Sequence, residues 1–165
     1  MKHYAPPVLL RTAAAGLVLA AAAACSSSGG SAQVDPPKPA GAARSACAAL
    51  TDGLPKAVDG QQRRDAEPAS RYTAAWGDPA IALRCGVPRP EVLRPGTAHY
   101  NPTADSVEVN GVQWLAEQQD DGYLFTALER AAFVELWVPD AYAPEVDPLT
   151  DLAASVKKAV PKTGV

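Results

Sequence analysis

The chain has 165 residues, 15 Lys+Arg against 18 Asp+Glu, and a formal net charge of −3. That length suits one domain, and 47% apolar with 20% charged residues excludes wholesale disorder. The mildly acidic balance speaks against a nucleic-acid footprint, and sixteen prolines, about twice the usual share, predict many turns and short elements.

Residues 1–24 read as an export signal. Lys2 and Arg11 give a basic start, and Thr12 to Ala24 follow without a charge. That run holds 13 residues, too few for a membrane-spanning helix of about 20, and it ends in small residues that suit cleavage. Ala22-Ala23-Ala24-Cys25 also resembles a bacterial lipobox, in which the thiol is lipidated before the chain is cut ahead of it. Cys25 is therefore the expected lipid-attachment residue, and the outer face of the cell membrane the expected location; plain secretion is the alternative outcome of the same cut. The two chains of a diacylglyceryl group anchor stably where a single acyl chain holds only marginally. Loss of Lys2 and Arg11 leaves 13 basic and 18 acidic residues, a mature charge of −5, which should not lie flat on an anionic bilayer. Residues 25–42 begin Ser/Gly-rich and later carry Pro36, Pro37 and Pro39. They are expected to form a flexible spacer that holds the single folded domain, residues 43–161, off the surface.

Cys47 and Cys85 are the other two thiols, and in an oxidising compartment an even pair predicts a disulfide. Closing a loop of this length contributes about 4 kcal/mol in the chain-entropy model.

Along the folded part, Ala43 to Leu54 reads as a short helix, with Ala43, Cys47, Leu50 and Leu54 on one face. Strands are expected at Gln61 to Glu67, Tyr72 to Trp76 and Ala80 to Cys85, the last two joined at Gly77-Asp78-Pro79. Pro88 to Pro102 carries four prolines and reads as an irregular connection. Val107 to Val109 meets Val112 to Gln118 across Asn110-Gly111, the strongest short hairpin signal. Asp120-Asp121-Gly122 turns into Tyr123 to Leu128, and Ala131 to Val138 makes a further strand. A longer helix closes the chain, with Asp147 as cap, Pro148 in the first helical position, and Leu149, Leu152, Ala153, Val156 and Val160 on one face. The expected fold class is α+β: an antiparallel sheet with a short N-terminal and a longer C-terminal helix, and one disulfide.

Several segments resemble an uncharacterised family of exported proteins from high-GC Gram-positive bacteria, domain of unknown function 3515. They are Val34-Asp35-Pro36-Pro37, Trp76-Gly77-Asp78-Pro79, Leu83-Arg84-Cys85-Gly86-Val87-Pro88-Arg89-Pro90, Asn110-Gly111-Val112-Gln113-Trp114 and the strand Val134 to Pro139. The resemblance covers roughly residues 34–160 and implies no activity, substrate or fold. Its pattern places Asp near Trp114, where this chain has Gln113.

The chemistry open to the mature protein is narrow. His99 is its only histidine, in the irregular connection, and reads as a solvated side chain. With both folded-domain thiols bridged, no zinc ligand set remains, no Gly-x-Ser-x-Gly elbow presents a serine, and no cofactor is expected. Carboxylates are the remaining reactive groups, and paired acids can hydrolyse a glycosidic bond. Asp78 and Glu129 are the candidates, each with a competing turn role. Arg84, between Leu83 and Cys85, should face away from them and pair with an acid on the sheet surface. Phe133 and Trp137 share the side of their strand with Glu135, where alternation alone predicts polar residues. Either a second element, the first helix, covers them, or they form an exposed binding patch. The expected function is a lipid-anchored envelope module that binds an envelope protein or a wall polymer. A carboxylate-dependent glycan hydrolase is the alternative.

Overall fold

A computed structural model describes residues 30–163; Cys25 and the export segment lie outside them. Ten strands and two helices follow one another: β1 (Ala32–Gln33), α1 (Gly41–Asp52), β2 (Ala57–Val58), β3 (Gln61–Arg64), β4 (Ala66–Glu67) and β5 (Thr73–Trp76) come first. They are succeeded by β6 (Ile81–Val87), β7 (Ser106–Val109), β8 (Val112–Gln119), β9 (Gly122–Ala127), β10 (Phe133–Pro139) and α2 (Asp147–Ala159). Eight of the strands form one antiparallel sheet in the order β2-β3-β5-β6-β10-β9-β8-β7, while β1 and β4 pair in parallel as a separate ribbon. The fold is therefore the α+β class read from the sequence.

The hairpin β7–β8 turns at Asn110 (φ 48) and Gly111 (φ 79), two successive positive φ values that suit Asn-Gly and match the strand twist. Strand β10 sits between β6 and β9, so the chain between Val87 and Ser106 passes three strands to start the far edge. This explains its length and irregularity, broken only by a 3₁₀ turn at Glu91–Leu93.

Both helices lie on one face of the sheet. Cys47 and Leu50 of α1, and Leu149, Leu152, Ala153 and Val156 of α2, are buried against Trp76, Leu83, Trp114, Leu136 and their neighbours in one core. Helix α1 packs on α2, and the Ser155 hydroxyl donates to the Gly53 carbonyl at 3.0 Å. The disulfide joins Cys47 to Cys85 with Cα atoms 5.3 Å apart. It fastens α1 to the centre of the sheet.

Four expectations need correction. The first helix does not cover Phe133 and Trp137, because the bridge holds it on the opposite face, beside α2. The spacer expected to run to Ala42 is packed from Ala32 onward. Val34, Pro37 and Pro39 are buried, and the Ala32 and Val34 amides donate to the Asp65 and Glu67 carbonyls at 2.8 and 2.9 Å. The single strand expected over Gln61 to Glu67 divides at Asp65, because its last two residues leave β5 to pair with this N-terminal strap. Finally, α2 starts at Asp147, with Val146 in the cap position and no side-chain cap hydrogen bond; Pro148 and the acidic first turn start the helix.

The strap climbs the second face of the sheet and crosses its upper rim at Gly86. A Cβ there would lie 2.5 Å from Pro39 Cβ, and Gly86 has φ +90, so only glycine serves on both counts. Below the strap, Val34 and Ala32 form a small second core with Ala75.

Candidate functional site

On the face without helices, strand register lines up Thr73, Arg84, Glu135 and Thr126 across β5, β6, β10 and β9. Arg84 donates through Nη1 to Glu135 Oε1 at 2.9 Å and through Nε to the Asp35 carbonyl of the strap at 3.0 Å. The alternation that buries Leu83 and Cys85 on the other side places Arg84 here. The Thr73 and Thr126 hydroxyls flank the pair, buried and without a hydrogen-bond partner among the described residues.

One register step lower, Ala75, Ala82, Trp137, Leu124 and Glu117 form the next row. Glu117 is held above the ordinary carboxylate range, first by partial burial and then by the charge of Glu135. The two rows meet in a shallow cleft of about 340 Å³ between the strap residues Gln33 to Asp35 and the strands. Trp137 and Leu124 are its apolar walls, and Arg84 and Glu135 its polar floor. The sequence thus leaves Trp137 half-buried, covered neither by a helix nor fully by the strap.

Phe133 does not join Trp137. A register irregularity between Phe133 and Val134 separates them, and Phe133 lines a hollow of about 380 Å³ at the upper end with Arg89, Leu93 and Glu129. Glu129 sits there at φ 53 and pairs with Lys162 at 2.9 Å. Asp78 lies at the lower end, 3.3 Å from Arg64, in the turn whose Pro79 carbonyl accepts from the Tyr142 hydroxyl. The two carboxylates weighed for hydrolysis therefore stand at opposite ends of β6 and β10, each beside a cation. His99 is exposed in the long connection. Among the described residues there is no group of three or more His, Cys, Asp or Glu side chains able to hold a metal.

A third concavity, of about 400 Å³, lies on the helix-bearing face at the lower end of β7, β8 and β9. Tyr123 and Phe125 stack along its floor, with centroids 5.6 Å apart and planes 16° apart. Asp105 stands on one side, and Pro144, Glu145 and Val146 of the loop before α2 on the other. Asp140 nearby is shifted toward its protonated form, by partial desolvation and then by Glu145, which hydrogen-bonds it, and Asp121. Nothing local in the sequence marked this groove: Asp105 and Glu145 belong to separate segments that only the β7–β8–β9 meander and the return to α2 bring together.

Fold and sites together define an α+β domain with both helices on one side of an antiparallel sheet and a half-open second side. Residues 8–165 match the family described as protein of unknown function (DUF3515), and the chain belongs to that family. No curated protein and no solved structure matches it.

Proposed function

We propose that this protein is an exported envelope module, lipid-anchored through Cys25, that binds a partner with the half-open face of its sheet. The observation that carries the binding reading is Trp137, left open beside the Arg84–Glu135 pair on the side away from both helices. An aromatic wall next to a charge pair and the Gln33 amide offers both an apolar contact and directional hydrogen bonds, the mixture found in binding clefts. A polar polymer of the wall, or a protein loop bearing an exposed apolar residue, suits such a surface. Export and anchoring are supported by the basic start, the short apolar run and the small residues before Cys25; among the described residues no helix is long and apolar enough to cross a membrane.

Cross-linking in native membranes, with identification of what is captured, tests the reading. Aromatic anchors in interfaces contribute about 2 kcal/mol or more, so Trp137→Ala should reduce capture at least tenfold while the protein keeps its disulfide and its circular-dichroism spectrum. Undiminished capture by the folded variant would remove this face. Mass spectrometry of the mature N-terminus should show a diacylglyceryl adduct on Cys25, and an unmodified thiol on a protein found in the medium would refute the anchor.

A further inference from the structure

We propose that the groove on the helix-bearing face receives a basic segment of a partner protein, with a lysine or arginine side chain laid against Tyr123, the half-buried ring of the stacked pair, between Asp105 and Glu145. This site is separate from the Trp137 cleft and stands whether or not that cleft binds anything. Three independent features meet in it. The floor carries Tyr123, half-buried and stacked on the buried Phe125, and an aromatic ring with an open side attracts a cation. The two carboxylates that line it, Asp105 and Glu145, take part in no ion pair among the described residues, and neither do Asp121 and Asp140 beside Glu145. Asp140 is shifted toward its protonated form first by partial desolvation and then by Glu145 and Asp121, and an incoming cation relieves the part that is like-charge repulsion.

The third feature selects a peptide over a small amine. Strand β7 is the last of the sheet and pairs on one side only, and Ser106 and Val107 of that strand line the groove. An extended segment can add to such an edge through its main chain and deliver alternate side chains to one face. The opposite lip carries Val146, 39% exposed and one of two large apolar side chains so exposed among the described residues. It offers an apolar contact for the aliphatic stem of lysine or arginine.

Tetralysine, titrated at low salt into the isotope-labelled protein, is the probe. Saturable one-to-one shifts confined to Val107, Tyr123, Phe125 and Val146 are expected, weakening as salt rises. Asp105→Asn and Glu145→Gln should each weaken binding about two- to fivefold, the range for one partly exposed charge pair, and Tyr123→Leu should weaken it again without loss of fold. Fully acetylated tetralysine should not bind. Shifts spread evenly over all acidic residues and unchanged in Glu145→Gln would overturn the proposal, as would tighter binding of glucosamine oligomers than of tetralysine. Release of reducing sugar from cell wall, abolished by Glu145→Gln, would also overturn it by making the groove a hydrolase site.

Discussion

The packing of the strap at Gly86 is open to a direct energetic test. Gly86→Ala places a methyl at φ +90, 2.5 Å from Pro39 Cβ and 3.0 Å from its Cγ. The backbone conformation alone costs an L-residue roughly 1–2 kcal/mol, and forcing extra volume into a packed contact costs about 1–3 kcal/mol more. The variant should therefore lose about 2–5 kcal/mol, a substantial part of the roughly 5–15 kcal/mol that a domain commonly has. Urea denaturation reads this as a lowered midpoint with an unchanged slope. Pro39→Gly removes the atoms that are struck, so in Pro39→Gly/Gly86→Ala the collision disappears and only the backbone cost remains. The double variant should be more stable than the sum of the singles allows, by about 1–3 kcal/mol. Additivity to within about 0.5 kcal/mol, the behaviour of sites that do not touch, would refute the docking of the strap.

Three further outcomes follow from the same geometry. Replacing both Cys47 and Cys85 by alanine should cost about 4 kcal/mol by loop-closure entropy, and non-reducing peptide mapping should recover the two cysteine peptides joined. Glu117 has a raised pKa in the folded state, so the folded protein holds more protons than the unfolded one as this group titrates. Its contribution is favourable below the unfolded value, near 4.3, and is lost as pH rises through the folded value; Glu117→Gln should therefore raise stability at neutral pH and leave it unchanged in acid, which denaturation at two pH values checks. Arg84→Met removes the side chain that donates to both the Asp35 carbonyl and Glu135, so the strap should become cleavable by protease in the otherwise folded protein; unchanged protection would show that Arg84 does not hold the strap.

The parts of the fold legible in the sequence are those set by local periodicity or turn chemistry. Asn110-Gly111 gives its hairpin, and Leu149, Leu152, Val156 and Val160 are buried as their spacing requires. The bridge follows from Cys47 and Cys85 being the two thiols left when Cys25 is set apart, under the expectation of an oxidising compartment. The strap was illegible because Ser, Gly and Pro signal a spacer by composition, whereas Val34, Pro37 and Pro39 are buried by shape alone; proline lacks a ladder donor but packs well. Which face α1 takes follows from the bridge to Cys85, which alternation sets opposite Arg84, but only the pairing of β6 with β10 shows that Trp137 lies on Arg84's side. For the sites, alternation placed Arg84 away from Cys85 and Trp137 on the side of Glu135, yet only register puts Arg84 against Glu135. It could not reveal that a shift at Phe133 sends that ring to another hollow.

The strap also sets a distance. The chain enters the folded body at the lower end of the sheet, where Arg64 binds both the Gly30 and Gly77 carbonyls, and only Ser26–Gly29 separate Gly30 from Cys25. Four residues reach at most about 18 Å from one Cα to the next fixed one. A lipid on Cys25 would therefore tether the domain on a short leash with a defined pole downward, the pole that carries Asp78, Asp121 and Asp140. With such an anchor, repulsion from anionic headgroups would act there within a Debye length of about 10 Å, comparable with the leash itself. The domain would stand on end against its tether, the Phe133 hollow at the far pole turned toward the wall and the aromatic groove near the bilayer, within reach of the exposed segments of membrane proteins.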